Sequence, residues 1–222
     1  MANLSKIAAF PLRVARLSLL GVGALVVAVP AAITLPAAPA AAQADQLDQV
    51  VTALRSITTM RADFTQTDRN GQVVRGVMTL KAPRVRFEYE PSARLLVVSN
   101  GRSLSVIDYE VNHTSRWPIG NSPLGALLDP KKDVKRYGKL LPTANPNVLS
   151  VEVKDSRNGI SITLIFVRNA AAPGGLELTS WVALDAQNKR TTIRLSNQRY
   201  GVAVPDSTFT YRDPTRRTGG RP

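Results

Sequence analysis

The chain has 222 residues, a formal net charge of +13, one histidine and no cysteine. The absence of cysteine excludes a disulfide framework, a thiolate nucleophile, a thiolate zinc site and lipidation of the chain itself. With only His113, a polyhistidine metal site within one chain is also excluded. A content of 44% hydrophobic and 20% charged residues is typical of a globular protein. The composition therefore favours binding over catalysis.

The N-terminus has the pattern of a secretory signal. Its first 16 residues contain lysine and arginine but no acidic residue, and an apolar run follows at 17–29. That run is shorter than the about 20 residues that a membrane-crossing helix needs, and it suits a signal peptide. Ala42-Gln43-Ala44 then supplies a small-residue cleavage pattern. We predict a cleaved signal at 1–44 and a soluble exported chain that begins at Asp45; the alternative is an uncleaved anchor extended through 31–35.

The first segment of the mature chain, 45–57, is predicted to be an amphipathic helix. Its apolar residues recur at helical spacing and form one stripe. Asp45 and Asp48 stand near the predicted helix N-terminus, where the helix dipole favours negative charge. The stripe consists of Leu47, Val50, Val51, Leu54 and Ile57.

After the helix, the apolar residues alternate with a period of two. Residues 84–90 are the clearest case, because Val85, Phe87 and Tyr89 alternate with charged residues. This pattern predicts an antiparallel strand with one apolar and one wet face. Asparagine–glycine and glycine–glycine pairs between the segments predict turns. Further strands are predicted at 64–68, 73–81, 95–99, 104–109, 111–117, 148–153, 160–167, 176–184, 191–200 and 208–211.

One segment, 121–141, interrupts the strands. Ser122 followed by Pro123 is typical of a helix N-cap with proline in the first turn. Leu124, Leu127 and Leu128 would form the apolar face of a very short helix. The chain is thus predicted to be mainly β, a single antiparallel sheet with a few helices. A sheet of so many strands tends to curl, so the helices are expected to cover its concave face.

No residue pattern indicates an enzyme. Nucleophile elbows, zinc-binding helices, phosphate loops and paired carboxylates in apolar surroundings are all missing from the sequence. His113 lies in a polar stretch at a strand start, which favours a surface position. We therefore expect no catalytic residue, no cofactor and no metal.

The basic residues form two groups. A tail at 212–222, rich in proline, glycine and threonine, is predicted to be disordered and leaves 45–211 as the single domain. Because export argues against a nucleic-acid partner, anionic membranes or acidic proteins are the better candidates. The alternative is that these charges only keep the protein soluble. The second group, a candidate docking surface, consists of Lys131, Lys132, Lys135, Arg136 and Lys139.

Several segments that follow the first helix form a recognisable series. They are DFTQ at 63–66, GVMTLKAP at 76–83, RFEY at 86–89, LVVSNG at 96–101, SPLGALL at 122–128 and PDSTF at 205–209. In this order, and over roughly 47–209, the chain resembles the LolA family of periplasmic outer-membrane lipoprotein carriers.

The resemblance implies an unclosed β-barrel lidded by helices over an apolar cavity that takes lipoprotein acyl chains. It further implies a periplasmic protein, here expected to be a monomer. Cargo would come from an inner-membrane LolCDE-type transporter and pass to an outer-membrane acceptor, LolB where one exists. The residues expected to line the lipid cavity are Val85, Phe87, Tyr89, Leu124, Leu127 and Leu128.

One departure from the family pattern concerns the lid. The family usually has an arginine before the proline of the GVMTLKAP segment, associated with bonding the lid, whereas this chain has Ala82. Lys81 and Arg84 are the candidates for a replacement latch. Two alternative functions stay open: a LolA-like carrier or sensor of another, anionic lipid, and a non-enzymatic adaptor without an open cavity.

Overall fold

The computed structural model describes residues 40–129, 131–132, 135–156 and 159–215. Most of the predicted signal at 1–44 and of the predicted tail at 212–222 therefore lies outside the described residues. Helix α1 spans Ala40–Ser56 and helix α2 spans Pro123–Leu128. The strands are β1 Thr59–Thr67, β2 Val73–Lys81, β3 Arg84–Tyr89, β4 Leu95–Ser99, β5 Ser103–Asp108, β6 His113–Pro118, β7 Gly138–Leu141, β8 Val148–Asp155, β9 Ile160–Arg168, β10 Leu176–Leu184 and β11 Arg190–Tyr200. Neither described helix is long and apolar enough to cross a membrane.

The strands form one antiparallel sheet in the order β6-β5-β4-β3-β2-β1-β11-β10-β9-β8-β7. It consists of two meanders, β1 to β6 and β7 to β11, in which each strand pairs with its neighbour in the chain. The meanders join where β1 pairs with β11. The edge strands β6 and β7 do not pair with each other, so the sheet is not closed. The predicted fold class, mainly β with one unclosed antiparallel sheet and a few helices, is confirmed.

Both helices pack on the same face of the sheet, which we call the inner face. Val50 and Ala53 of α1 join a buried cluster with Phe166 and other residues of β8 to β10. Leu124 and Leu128 of α2 pack against the cluster that contains Trp117. Because α2 lies in the chain between β6 and β7, it bridges the two unpaired edges.

The sequence and the structure differ at the start of α1. The helix was predicted at 45–57 but begins at Ala40, so Asp45 and Asp48 lie inside it rather than in its first turn. Cleavage after Ala44 would leave a helix that begins at Asp45. The predicted cap of α2 is confirmed, because Ser122 Oγ accepts a hydrogen bond from the Gly125 amide at 3.2 Å.

The outer face of the sheet carries a layer that the sequence did not predict. The strand expected at 208–211 is wrong: Asp206–Phe209 is a 3₁₀ turn in a C-terminal segment that crosses the outer face. Arg86 donates to the carbonyls of Thr208 at 3.3 Å and Thr210 at 3.2 Å, so these groups do not join a ladder. The Phe209 ring packs with Leu96, Val98 and Ile107 and lies 4.6 Å from the Arg84 guanidinium carbon. The C-terminal segment therefore partly covers Arg84 and Arg86 on the outer face of β3, whereas Glu88 is exposed there as expected.

The C-terminal segment continues along the sheet into the predicted tail. Tyr109 Oη donates to the Arg212 carbonyl at 3.2 Å, and Thr114 Oγ1 donates to Asp213 Oδ1 at 2.8 Å. A further strand, β7, lies within 121–141 and was missed. It is four residues long and pairs only with β8 among the described strands, so its short run gave little periodic signal.

Gly76 is required by the packing of Phe64. A Cβ at this position would lie 2.2 Å from the Glu88 carbonyl oxygen and 2.7 Å from the Phe64 ring. We expect Gly76→Ala to lower the free energy of unfolding by about 1–3 kcal/mol, because the neighbours must shift. Urea denaturation measures this, with Gly120→Ala as the control since its Cβ would meet no atom closer than 3.8 Å. Equal stability of the two variants would contradict the packing argument.

Docking of the C-terminal segment on the outer face should weaken at low pH. Lys81 and Arg84 each contact Asp206 Oδ1 at 2.7 Å, and these bonds lower the pKa of the Asp206 carboxyl from 3.8 to about 2. Since the folded pKa lies below the ordinary value, the bonds stabilise docking fully above about pH 4 and are lost as the pH falls through about 2. NMR shifts of the Phe209 ring should report this transition. Asp206→Asn should remove it; a transition that persists in this variant would assign it to another group.

Candidate functional site

An apolar cavity of about 230 Å³ lies between the inner face of the sheet and the two helices. Both meanders contribute to its wall, and Leu54 of α1 and Ile57, the first residue after α1, cover it from the helix side. The strand residues that line it are mostly aliphatic or aromatic: Met60, Met78, Leu80, Val97, Leu104, Ile160, Ile162, Leu164, Leu178, Trp181, Ala183, Leu184 and Ile193.

The six residues predicted from the sequence to line a lipid cavity all surround this space. Val85, Phe87 and Tyr89 reach it because alternate residues of β3 point to the inner face. Leu124, Leu127 and Leu128 reach it from α2. The structure therefore brings the two groups to one cavity; their contact with lipid stays a prediction.

Four aromatic rings stiffen the wall of the cavity. Phe64 meets Phe87 at 5.5 Å and Tyr89 at 5.0 Å, with the rings nearly perpendicular. Phe87 also meets Trp181 edge-on at 6.0 Å, across the two meanders. Such edge-to-face pairs are each worth about 0.5–1.5 kcal/mol beyond burial.

Trp181 was not predicted as a site residue. It lies in a strand that the sequence did predict, but a register shift between Leu178 and Ser180 puts both Leu178 and Trp181 on the inner face. Simple alternation assigns these two residues to opposite faces. A tryptophan in a predicted strand was the only indication in the sequence that this position could line a cavity. Because the bulge changes the alternation, the face on which Trp181 lies could not be predicted.

Few polar groups line the cavity. Tyr89 Oη donates to Gln66 Oε1 at 2.7 Å, and burial raises the pKa of the Tyr89 hydroxyl above its usual range. Tyr89 is therefore neutral at physiological pH, and its hydroxyl has a partner. Thr191 and Asp185 line the end of the cavity next to the β10–β11 hairpin.

The family of the chain is decided by a match that spans both meanders. The family model described as "Outer membrane lipoprotein carrier protein LolA" matches residues 55–212, from the end of α1 to the C-terminal segment. The chain belongs to the LolA family. The resemblance inferred from the sequence segments is thereby confirmed.

Two curated relatives of the same description share less than 30% sequence identity with this chain. An outer-membrane lipoprotein carrier protein of Xanthomonas campestris pv. campestris (strain B100) is 29% identical over 173 residues, 72% of this chain and 80% of that protein. One of Coxiella burnetii (strain RSA 331 / Henzerling II) is 22% identical over 182 residues, 78% and 84% of the two chains. The crystal structure of a LolA superfamily protein from Nitrosomonas europaea aligns with a TM-score of 0.42 at 11% identity, covering 73% of this chain and 97% of that one.

The two helices that cover the cavity, α1 and α2, are here called the lid, and residues of the basic group bond to α1 and to the loop before α2. Lys135 forms an ion pair with Asp48 of α1, and Lys132 Nζ donates to the Gly120 carbonyl. The neighbouring Tyr137 packs against the cluster in which Val51 of α1 meets Ala126 of α2. Two of the five predicted docking residues therefore bond within the protein, whereas Lys131, Arg136 and Lys139 are exposed.

Lys81 and Arg84 do not reach the lid. Both side chains lie on the outer face and bond to Asp206 of the C-terminal segment. The interpretation of these residues as a lid latch is corrected accordingly: their neighbours Leu80 and Val85 point into the cavity, so alternation directs them away from the helices. Ala82 itself lines the cavity. Polar contacts to the lid come from other residues: Lys135 pairs with Asp48, and Arg168 Nη1 donates to Gln49 Oε1 of α1 at 2.9 Å.

Proposed function

We propose that this protein is a periplasmic, non-enzymatic carrier that holds lipoprotein acyl chains in its cavity and moves lipoproteins from the inner to the outer membrane. The observation that carries the proposal is the apolar cavity under two helices in a chain of the LolA family. The donor would be an inner-membrane LolCDE-type transporter, and the acceptor would be an outer-membrane protein such as LolB.

The energetics of acyl chains support such a role. Burial of a chain is worth about 0.8 kcal/mol per methylene, so a dozen methylenes amount to roughly 10 kcal/mol. An acylated protein would therefore not cross the aqueous periplasm without an apolar container. Because a membrane and a cavity offer similar burial, transfer between them is nearly neutral, and the affinities of the partner proteins set its direction.

The size of the cavity implies that loading moves the lid. Ligand pockets usually measure about 300–1,000 Å³, whereas this cavity measures about 230 Å³. The conformation described here has room for part of one chain. Cargo with several acyl chains would need α1 and α2 to move away from the inner face.

The direct test is whether the purified mature protein keeps a released lipoprotein in solution. We expect a soluble one-to-one complex that forms only when the carrier is present. Lipoprotein that stays in the membrane fraction at every carrier concentration would contradict the proposal. Mass spectrometry of co-purified lipids would identify a carrier of another lipid, and failure to take up an apolar dye would favour the adaptor.

A charge in the cavity should abolish cargo binding. Phe87→Glu places a carboxylate among Phe64, Trp181 and Tyr89, where an ionised group costs several kcal/mol. We expect lipoprotein retention to fall at least tenfold, by the conversion of about 1.4 kcal/mol per decade. Glu88→Gln is the matched control because Glu88 is the next residue of β3 and is exposed on the outer face. Equal retention by the two variants would show that this wall does not hold the cargo.

The exposed part of the basic group should govern docking rather than retention. We expect Lys131→Glu with Lys139→Glu to slow transfer from donor membranes at low salt, because exposed charges act over ~8 Å at physiological ionic strength. Acyl-chain retention should not change, since Lys132 keeps its bond to the Gly120 carbonyl and Lys135 keeps its ion pair with Asp48 of α1. Transfer rates in liposome assays equal to wild type at low salt would support a merely solubilising surface.

A further inference from the structure

The cavity contains one charged side chain among its described lining residues, Asp185. It follows β10 directly, at the end of the cavity that Ile160, Leu184 and Thr191 also line. Only 1% of Asp185 is exposed to solvent. A buried carboxylate in an otherwise apolar wall requires an explanation, because such groups are costly unless they are paired.

Only one oxygen of this carboxylate has a structural role. Asp185 Oδ1 accepts hydrogen bonds from the backbone amides of Gln187 at 2.9 Å and Lys189 at 2.8 Å, which fixes the β10–β11 turn. Asp185 Oδ2 is fully buried and accepts no hydrogen bond from any described residue. A buried acceptor without a donor loses its hydration and gains nothing in return.

A second turn in the same chain has an aspartate with the same backbone hydrogen bonds but outside the cavity, so it shows which features of Asp185 the turn explains. Asp68 begins the β1–β2 turn, and its Oδ1 accepts from the amides of Asn70 and Gln72, both at 2.8 Å. The spacing of donors is the same as at Asp185. However, Asp68 is only partly buried and does not line the cavity. The turn therefore accounts for Oδ1 at both sites, but it does not account for the buried Oδ2 of Asp185.

We propose that Asp185 Oδ2 accepts a hydrogen bond from a nitrogen donor of the bound lipid, an ammonium or amide N–H beside its acyl chains. The inference rests on the proposed carrier function and adds head-group selection to it. The aliphatic and aromatic wall binds the chain without regard to its head, whereas the carboxylate favours a head that donates and repels one that carries negative charge.

Single-chain amphiphiles of equal length test this selection on the mature protein. Dodecylamine, dodecanol and dodecanoate would compete with an apolar fluorescent dye at neutral pH. Both heads can donate to Oδ2, but the ammonium also carries a positive charge, so we expect wild type to bind the amine about tenfold tighter than the alcohol. Dodecanoate should bind most weakly. Wild type that binds the amine no tighter than the alcohol would overturn the proposal without any variant.

Two aspartate-to-asparagine variants then locate the effect. Asp185→Asn keeps an oxygen for the turn amides but replaces Oδ2 with a donor, so the preference for the amine should disappear. Asp68→Asn makes the same net-charge change at the matched turn outside the cavity and should keep the preference. An undiminished preference in Asp185→Asn would overturn the head-group inference while binding of all three amphiphiles still supported the carrier function. Failure of every amphiphile to displace the dye from wild type would overturn both.

Discussion

The pairing of β1 with β11 is the contact on which the rest of the structure depends. It joins residues far apart in the chain, such as Phe64 and Leu195, whereas the other described strand pairs join consecutive strands. One meander supplies Val85 and Phe87 to the cavity and the other supplies Trp181. Closing so long a loop costs chain entropy before its contacts form. The pairing produces a continuous inner face, on which the Phe87 and Trp181 rings are in contact.

The alternation along β3 serves two faces with different chemistry. Val85 and Phe87 face the cavity, whereas Arg84 and Arg86 hold the C-terminal segment on the outer face. Because the side-chain period of a strand is two, a register slip of one residue would exchange these faces. Such a slip would bury guanidinium groups in the cavity and expose the aromatic wall, so the register of this strand is strongly specified.

A cavity that is kept apolar but not filled has a cost in stability. Side chains around an empty space lose dispersion contacts that a packed core would provide. In a carrier, burial of an acyl chain offsets this loss, and the lid supplies apolar cover when no cargo is bound. The two helices cover the cavity through apolar packing and through exposed polar bonds, such as those of Lys135 to Asp48 and of Arg168 to Gln49. Contacts of this kind suit a cover that must both close the cavity and release it.

Short sequence patterns were sufficient to predict several strands, the start of α2 and the family of this protein. The alternation at 84–90 predicted the strand and its apolar face, and the Ser122-Pro123 pair predicted the start of α2. These features depend on neighbours within a few residues, which the sequence displays directly. The segment order also identified the family, which the match over 55–212 confirms.

Tertiary structure decided where distant surfaces meet. The threonine and aromatic residues at 208–211 favour a strand locally. In the structure, however, the Phe209 ring packs on the outer face beside Arg84, and Arg86 donates to the backbone carbonyls that a strand ladder would use. Lys81 and Arg84 bond to Asp206 of that segment rather than to the lid, because their side chains lie on the outer face. Asp185 was not predicted as a site residue, and only the fold shows that this residue is buried and lines the cavity. Periodicity specifies which face a side chain occupies, but the partner opposite that face depends on long-range packing that the periodicity does not encode.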